Sequence, residues 1–231
     1  MIDRRTSVED AVSRFVRSGQ VIMIGGFGRG GTPFSLLELM ADRREQFRDL
    51  TLIKNDANEP GLGIGPLLSS GMVTRLVSTH IGLNPEFIAQ MNRGEVACEL
   101  KPQGIFAECI RAGGAGIPAF LTDIGIETEV AEGKQTVELD GRTYLLERAL
   151  RGDLALVAAD RADRMGNAWF RGSNRNMCVI MASACDRVVV EANEIVEPGD
   201  IAPEDVHLPC VFVDAVVEAR PRRHMQHEVK Q

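Results

Sequence analysis

Residues 20–33 read Gln20-Val21-Ile22-Met23-Ile24-Gly25-Gly26-Phe27-Gly28-Arg29-Gly30-Gly31-Thr32-Pro33. Gln20 to Ile24 is a short apolar run rich in β-branched residues and bounded by glycine, which reads as a buried strand. The glycines permit a tight turn, and Thr32 with Pro33 makes a good N-cap and first helical residue for a helix through about Met40. Strand, glycine loop and helix in that order open a βαβ unit.

Outward from this unit the rhythm repeats. Upstream, Thr6 and Glu9 have capping-box spacing before Val8, Ala11, Val12, Phe15 and Val16, a helical stripe that Gly19 closes. Downstream, Leu50 to Ile53, Val73 to Ser78 and Val96 to Leu100 read as further strands. Helices fall between and after them: one from Asn84-Pro85 to Gly94, another from Gln103 to Ala112, stopped by Gly113-Gly114. Such alternation predicts an α/β fold, an open, mostly parallel sheet with helices on both faces. After Gly116 the rhythm breaks. Thr136 to Leu139 and Arg142 to Leu146 flank Asp140-Gly141, the sharpest hairpin signal in the chain, so a β-hairpin insertion is expected near 136–146 as a flap or sheet extension. Leu154 to Ala159 and Val188 to Glu191 restore the strand pattern, with a helix expected over Asn176 to Cys185.

The 231 residues are 44% hydrophobic and 26% charged, ordinary for a globular chain. One domain over 1–219 is expected, followed by a basic, disordered tail over 220–231. A net charge of -7 argues against a sequence-neutral grip on nucleic acid, and aromatics at 5% argue against base-stacking platforms. No apolar run approaches the ~18 residues of a membrane span, and the start carries no signal-peptide core, so a cytoplasmic location is expected. The five cysteines lack metal-site spacing and form no even disulfide complement, so they read as reduced thiols. The four histidines also lack ligand spacing, and no metal site is expected.

Gly26, Gly28 and Gly31 form a literal GxGxxG. A dinucleotide site is one reading, although the acid expected after the second strand is replaced by Lys54-Asn55, with Asp56 a loose candidate. A second reading is a helix N-terminus whose free N–H groups await an anion or oxyanion, and a third is only a tight turn. Gln103, at a helix start just past a strand, has an amide free to donate two hydrogen bonds to a carbonyl oxygen. Asp160, Asp163, Glu194 and Glu197 read as solvated turn charges. No GxSxG elbow occurs. A binding loop without an obvious nucleophile suggests a half-site completed by another chain.

Several ordered segments resemble one family. Gly25-Gly26-Phe27-Gly28 with Gly31 and Pro33 is similar to the signature of the A (alpha) subunit of family I 3-oxoacid CoA-transferases, the succinyl-CoA:3-ketoacid type. Glu99 to Gly104, Ala107-Glu108 and Ile110 to Phe120 are similar to that family's central run. Ala162-Asp163-Arg164 with Gly166-Asn167, Glu194 to Gly199, and Pro203-Glu204-Asp205 with His207 continue the match in order.

The resemblance implies a CoA-transferase-like open sheet that is active only with a B subunit, whose Glu is the nucleophile. The Ser-Glu-Asn-Gly sequence that carries that Glu in the family does not occur here. It implies transfer of CoA from an acyl-CoA to a short-chain carboxylate, most simply a 3-oxo acid, with CoA as cosubstrate and no resident cofactor. Gln103 falls on the family's oxyanion glutamine, and Gly25, Gly26, Phe27, Gly28, Arg29, Gly30 and Gly31 would lie against the thioester. Asn55, Asp56, His80, Gly113, Gly114 and Gly116 would line the acyl pocket. Alternatives are a component of a related CoA-thioester hydrolase and a non-catalytic dinucleotide-binding module. The chain departs from the family at Asn55-Asp56, at Thr79-His80-Ile81-Gly82-Leu83-Asn84 and around Arg175-Asn176. The first two of these suggest that His80 contacts the acyl group while Asp56 orients its imidazole.

Overall fold

The computed structural model describes residues 2–221. Seven parallel strands form the main sheet in the order β11-β10-β8-β1-β2-β3-β4, with short β9 added antiparallel to β8. Their ranges are β1 Val21–Ile24, β2 Leu50–Lys54, β3 Val73–Ser78, β4 Ala97–Leu100, β8 Gly152–Asp163, β9 Ala168–Trp169, β10 Cys185–Val196 and β11 Ala215–Glu218.

Alternation along the strands decides which helices cover which face. Ile22 and Ile24 point to one side, where they pack with α1 (Val8–Phe15), α2 (Phe34–Asp42), α3 (Gly65–Ser69) and α4 (Pro85–Asn92). Met23 points to the other, against Phe106 and Ile110 of α5 (Gln103–Gly114) and Met181 of α6 (Cys178–Ser183). Both faces are therefore covered, as a parallel sheet requires. Among the described residues no helix is long and apolar enough to cross a membrane.

The Asp140-Gly141 hairpin forms as expected: both residues have positive φ, +50° and +72°, the geometry of a type I′ turn. Its strands, β6 (Thr136–Leu139) and β7 (Arg142–Arg148), do not extend the main sheet. They join β5 (Ala119–Thr122), which the strand pattern of the sequence does not mark, in a separate antiparallel sheet. A buried ion network ties this sheet to the edge of the main one. Lys101 Nζ lies 3.1 Å from Glu147 on β7 and 3.0 Å from Glu99 on β4, and Lys134 pairs with the same Glu147.

Several local expectations shift. Ser7 rather than Thr6 caps α1, its side chain accepting from the Asp10 N–H while its hydroxyl donates back to the Asp10 carboxylate, so the box is displaced by one residue. β8 and β10 run for 12 residues each, far beyond the apolar segments that mark them. They pair over that whole length, so Asp160, Asp163 and Glu194 are strand residues rather than turn charges. Asp163 is buried, and its carboxylate accepts the N–H groups of Met165, Gly166 and Asn167. Most of the expected basic tail, from residue 222 onward, lies outside the described residues.

Candidate functional site

Parallel register brings Ile24, Lys54, Ser78 and Leu100 to one level, so the loops that follow β1, β2, β3 and β4 emerge side by side. Ligands bind at this carboxyl end in open α/β sheets. The glycine loop, the Asn55-Asp56 turn, Thr79-His80 and the start of α5 all meet here.

The glycine loop is a miniature hairpin. Phe27 and Gly30 exchange N–H to carbonyl bonds of 2.9 and 3.2 Å across the Gly28-Arg29 turn, which lifts Phe27 and Arg29 into solvent. Gly28 sits at φ +58°, where a side chain would be strained. A Cβ on Gly26 would fall 2.2 Å from Thr32 Oγ1 and 2.9 Å from the Thr32 nitrogen, so the chain can fold back on itself only with glycine there.

The loop is held from both flanks by side chains far from it in sequence. On the β2 side, Asp56 Oδ2 accepts the Gly28 N–H at 2.8 Å, and Asn58 Nδ2 donates to the Gly28 carbonyl at 3.1 Å. On the β8 side, Asn176 Oδ1 accepts the Gly26 N–H at 3.2 Å while its Nδ2 donates to the Gly30 carbonyl at 3.0 Å. Asn174, nearby, donates to Asp160. Asn58, Asn174 and Asn176 escape sequence reasoning, because an asparagine signals a turn whether or not it also clamps a distant loop.

Beneath the loop Lys54 is completely buried, its ammonium 3.3 Å from Asp56 Oδ2. Burial pushes the Lys54 pKa down, against the attraction of Asp56. Burial acts to raise Asp56, yet the charge of Lys54 and the N–H groups of Gly28 and Asn58 outweigh it and hold the carboxyl below its ordinary value. Asp56 is thus an ionised brace for the loop. It does not orient His80: both carboxylate oxygens are engaged by Gly28, Lys54 and Asn58. The Asp56–His80 proximity is a backbone bridge, in which the His80 carbonyl accepts the Ala57 N–H. The His80 ring itself lies exposed at the rim.

The start of α2 also differs from expectation. Pro33, with no side-chain cap bond, stands at the N-cap position, and the Thr32 hydroxyl instead donates to the Gly28 carbonyl at 2.9 Å. Buried Glu191 on β10 accepts the N–H of Ser35 at 3.1 Å and of Leu36 at 3.0 Å. Burial raises the Glu191 pKa, opposed by these N–H groups. The helix N-terminus is therefore already filled by an internal carboxylate. This removes the physical basis for a dinucleotide pyrophosphate seated there, and for the α2 terminus as an open anion site.

Gln103 opens α5 with its side chain exposed. Its Nε2 donates to Asn55 Oδ1 at 2.6 Å and its Oε1 accepts from Thr79 Oγ1 at 2.8 Å. One of its two amide protons is committed, leaving one for a ligand. Asn55 is 2% exposed at the base of this cluster. Gly113, Gly114 and Gly116 are not part of it. They lie at the other end of α5, roughly 16 Å away along a 1.5 Å rise per residue. A Cβ on Gly113 would meet the Leu150 carbonyl at 2.0 Å, and one on Gly114 would meet Ser183 Oγ at 2.4 Å. Those two glycines let α5 pack tightly on its neighbours, and the structure does not bring any of the three beside Asn55, His80 and Gln103, as their expected place in one acyl pocket would require.

A sequence profile of the coenzyme A transferase family matches residues 5–219. The chain is 45% identical over 211 residues to the alpha chain of the acetate CoA-transferase of Escherichia coli, covering 91% of this chain and 94% of that one. It is 43% identical over 224 residues to the A chain of the succinyl-CoA:3-ketoacid coenzyme A transferase of Xanthomonas campestris pv. campestris, covering 96% and 92%. Its fold matches a solved thioester complex with CoA of the Escherichia coli acyl-CoA transferase YdiF, with a TM-score of 0.83 at 23% identity over 95% of this chain. That match takes in 47% of the YdiF chain, so this protein spans about half its length.

Proposed function

The chain belongs to the coenzyme A transferase family, and on that premise we propose that it is the A (alpha) component of a two-component enzyme that moves CoA from an acyl-CoA to a short-chain carboxylic acid. The observation that carries this reading is the Gln103 amide, braced on Asn55 and Thr79 at the mouth of the sheet with one N–H uncommitted. A donor fixed in advance is what a developing oxyanion needs. The two acids that brace the glycine loop and the start of α2, Asp56 and Glu191, spend their oxygens on backbone N–H groups and Lys54, which makes each a poor nucleophile. We assign the nucleophile to the B subunit, as the glutamate that the family resemblance implies there.

In the proposed reaction the partner's carboxylate attacks the acyl-CoA carbonyl and expels the CoA thiolate, leaving a mixed anhydride. The thiolate then attacks the glutamyl carbonyl of that anhydride, releasing the first carboxylate and forming a glutamyl-CoA thioester. The acceptor acid repeats both steps in reverse, so no atom is gained or lost and CoA ends on the acceptor. Each attack passes through an oxyanion to which Gln103 Nε2 donates. The glycine loop, from Gly25 to Gly31, supplies a rigid wall for the thioester because it is clamped on both flanks. Asn55, which bonds to Gln103, and His80, exposed at the rim after Thr79, are assigned to the acyl end of the site. CoA is a cosubstrate, and the reading involves neither a resident cofactor nor a metal.

Reconstitution tests this. The purified chain, its cognate partner chain and their mixture are each given acetoacetyl-CoA or succinyl-CoA with acetate, succinate or acetoacetate as acceptor, and acyl-CoA products are resolved by chromatography. The mixture is expected to form acceptor-CoA and the separate chains none. Transfer by this chain alone contradicts the half-site, and thioester loss without acceptor-CoA turns the assignment to hydrolysis.

A further inference from the structure

We propose that Thr79 is the positioning residue that fixes the Gln103 amide, a proposal that rests on Gln103 being the oxyanion donor. Thr79 follows the last residue of β3, and Gln103 is the first residue of α5, so the two meet only because the loops after β3 and β4 emerge together. The Thr79 hydroxyl has one proton and three acceptors in reach, the Asn55 carbonyl at 2.7 Å, Gln103 Oε1 at 2.8 Å and Asn55 Oδ1 at the far limit of 3.5 Å, which also takes the Gln103 amide at 2.6 Å. The Asn55 carbonyl already receives the Thr79 N–H at 3.1 Å and the Ser78 hydroxyl at 3.1 Å, the nearer of that hydroxyl's two acceptors, the His80 carbonyl lying at 3.4 Å; together they fill both of its lone pairs. Gln103 Oε1 receives no other donor among the described residues. The proton therefore belongs to Gln103.

The consequence lies at the other end of the amide. An exposed glutamine rotates about its terminal torsion and presents oxygen or nitrogen to the site with similar ease. With Oε1 held by Thr79 and one Nε2 proton held by Asn55 Oδ1, the amide plane is fixed and its remaining N–H is the group offered to substrate. An oxygen turned toward a developing oxyanion would repel it. Thr79 acts through Gln103 and need not touch substrate itself.

The test is a double-mutant cycle in the reconstituted complex, with rates expressed per assembled complex after size exclusion. Thr79→Val keeps the shape and removes the hydroxyl; kcat is expected to fall roughly 5- to 10-fold with KM for the acyl-CoA within about two-fold. Thr79→Ser, which keeps the hydroxyl, is expected to recover most of the loss. In a Gln103→Ala background Thr79→Val is expected to cause no further loss, because the amide it positions is gone. Should Thr79→Val fail to assemble, Thr79→Ala is read in the same cycle. Losses that multiply in the double variant, or a serine variant as slow as valine, overturn the proposal. A Gln103→Ala enzyme with normal turnover overturns the role of Gln103, whereas a crippled Gln103→Ala enzyme beside an intact Thr79→Val enzyme overturns the role of Thr79 alone.

Discussion

Gln103→Ala is expected to lower kcat by ~10²–10³ in the assembled enzyme, the usual loss when one preorganised oxyanion donor is removed. The size follows from timing. In the proposed role the uncommitted N–H of Gln103 would meet a neutral carbonyl in the bound thioester and a full negative charge in the tetrahedral intermediate, and so would stabilise the second more than the first. The loss should therefore appear in kcat and in kcat/KM about equally, with KM little changed. Folding should be untouched, since the side chain is exposed and the α5 backbone bonds do not depend on it. Steady-state kinetics beside a thermal melt distinguish the outcomes. A variant that fails to assemble yet turns over normally per surviving complex would make Gln103 a helix-start residue and nothing more.

Asp56→Asn carries the largest stability effect. The change removes the only ion-pair partner of Lys54, a completely buried ammonium, among the described residues. Leaving a buried charge unpaired costs about 3–5 kcal/mol. Asparagine also replaces a carboxylate that accepts from Gly28, Asn58 and Lys54 at once, so the glycine loop should loosen as well as the core. Urea unfolding of the isolated chain measures this, and a change under about 1 kcal/mol would refute it. Adding Lys54→Met should restore part of the loss, because the uncompensated charge is then gone. The pH dependence has a definite sign. The folded pKa of Asp56 lies below its unfolded value of about 3.9. Its contribution is thus complete above that unfolded value and fades as pH falls through the lower folded one. Wild type and Asp56→Asn should converge in stability as the medium is acidified from about pH 5, and remain far apart at neutral pH.

Legibility in the sequence follows the range of the interaction. Strand, glycine loop and helix over 20–33, the parallel rhythm and the Asp140-Gly141 hairpin rest on neighbours in the chain, and local pattern is enough to read them. The α2 cap is different: its acid, Glu191, lies 156 residues from Ser35, and nothing near either residue advertises the other. The same holds for Asn176, 150 residues from the Gly26 it holds. β5, β9 and β11 are two to four residues long and carry too little periodicity to stand out. β8 and β10 outrun their apolar segments because they go on pairing with each other where charged residues such as Arg161, Asp163 and Glu194 interrupt the apolar pattern. The Gly113-Gly114 pair shows a different ambiguity, since bare backbone serves a ligand and a packed helix equally well. Asp56 and His80 are legible as neighbours at strand ends, yet the link between them is peptide rather than carboxylate to imidazole. Gln103 is legible in place but not in its tethering, for Asn55 and Thr79 follow other strands.

The proposed division of labour between this chain and a partner chain is tested most directly by intact-mass measurement of the reconstituted enzyme. The complex is mixed with acyl-CoA in the absence of acceptor, quenched in acid and separated into its two chains. A mass increment of one CoA, less water, is expected on the partner, mapped by peptide analysis to a glutamate, with this chain unmodified. An increment on any Asp or Glu of this chain would contradict that division.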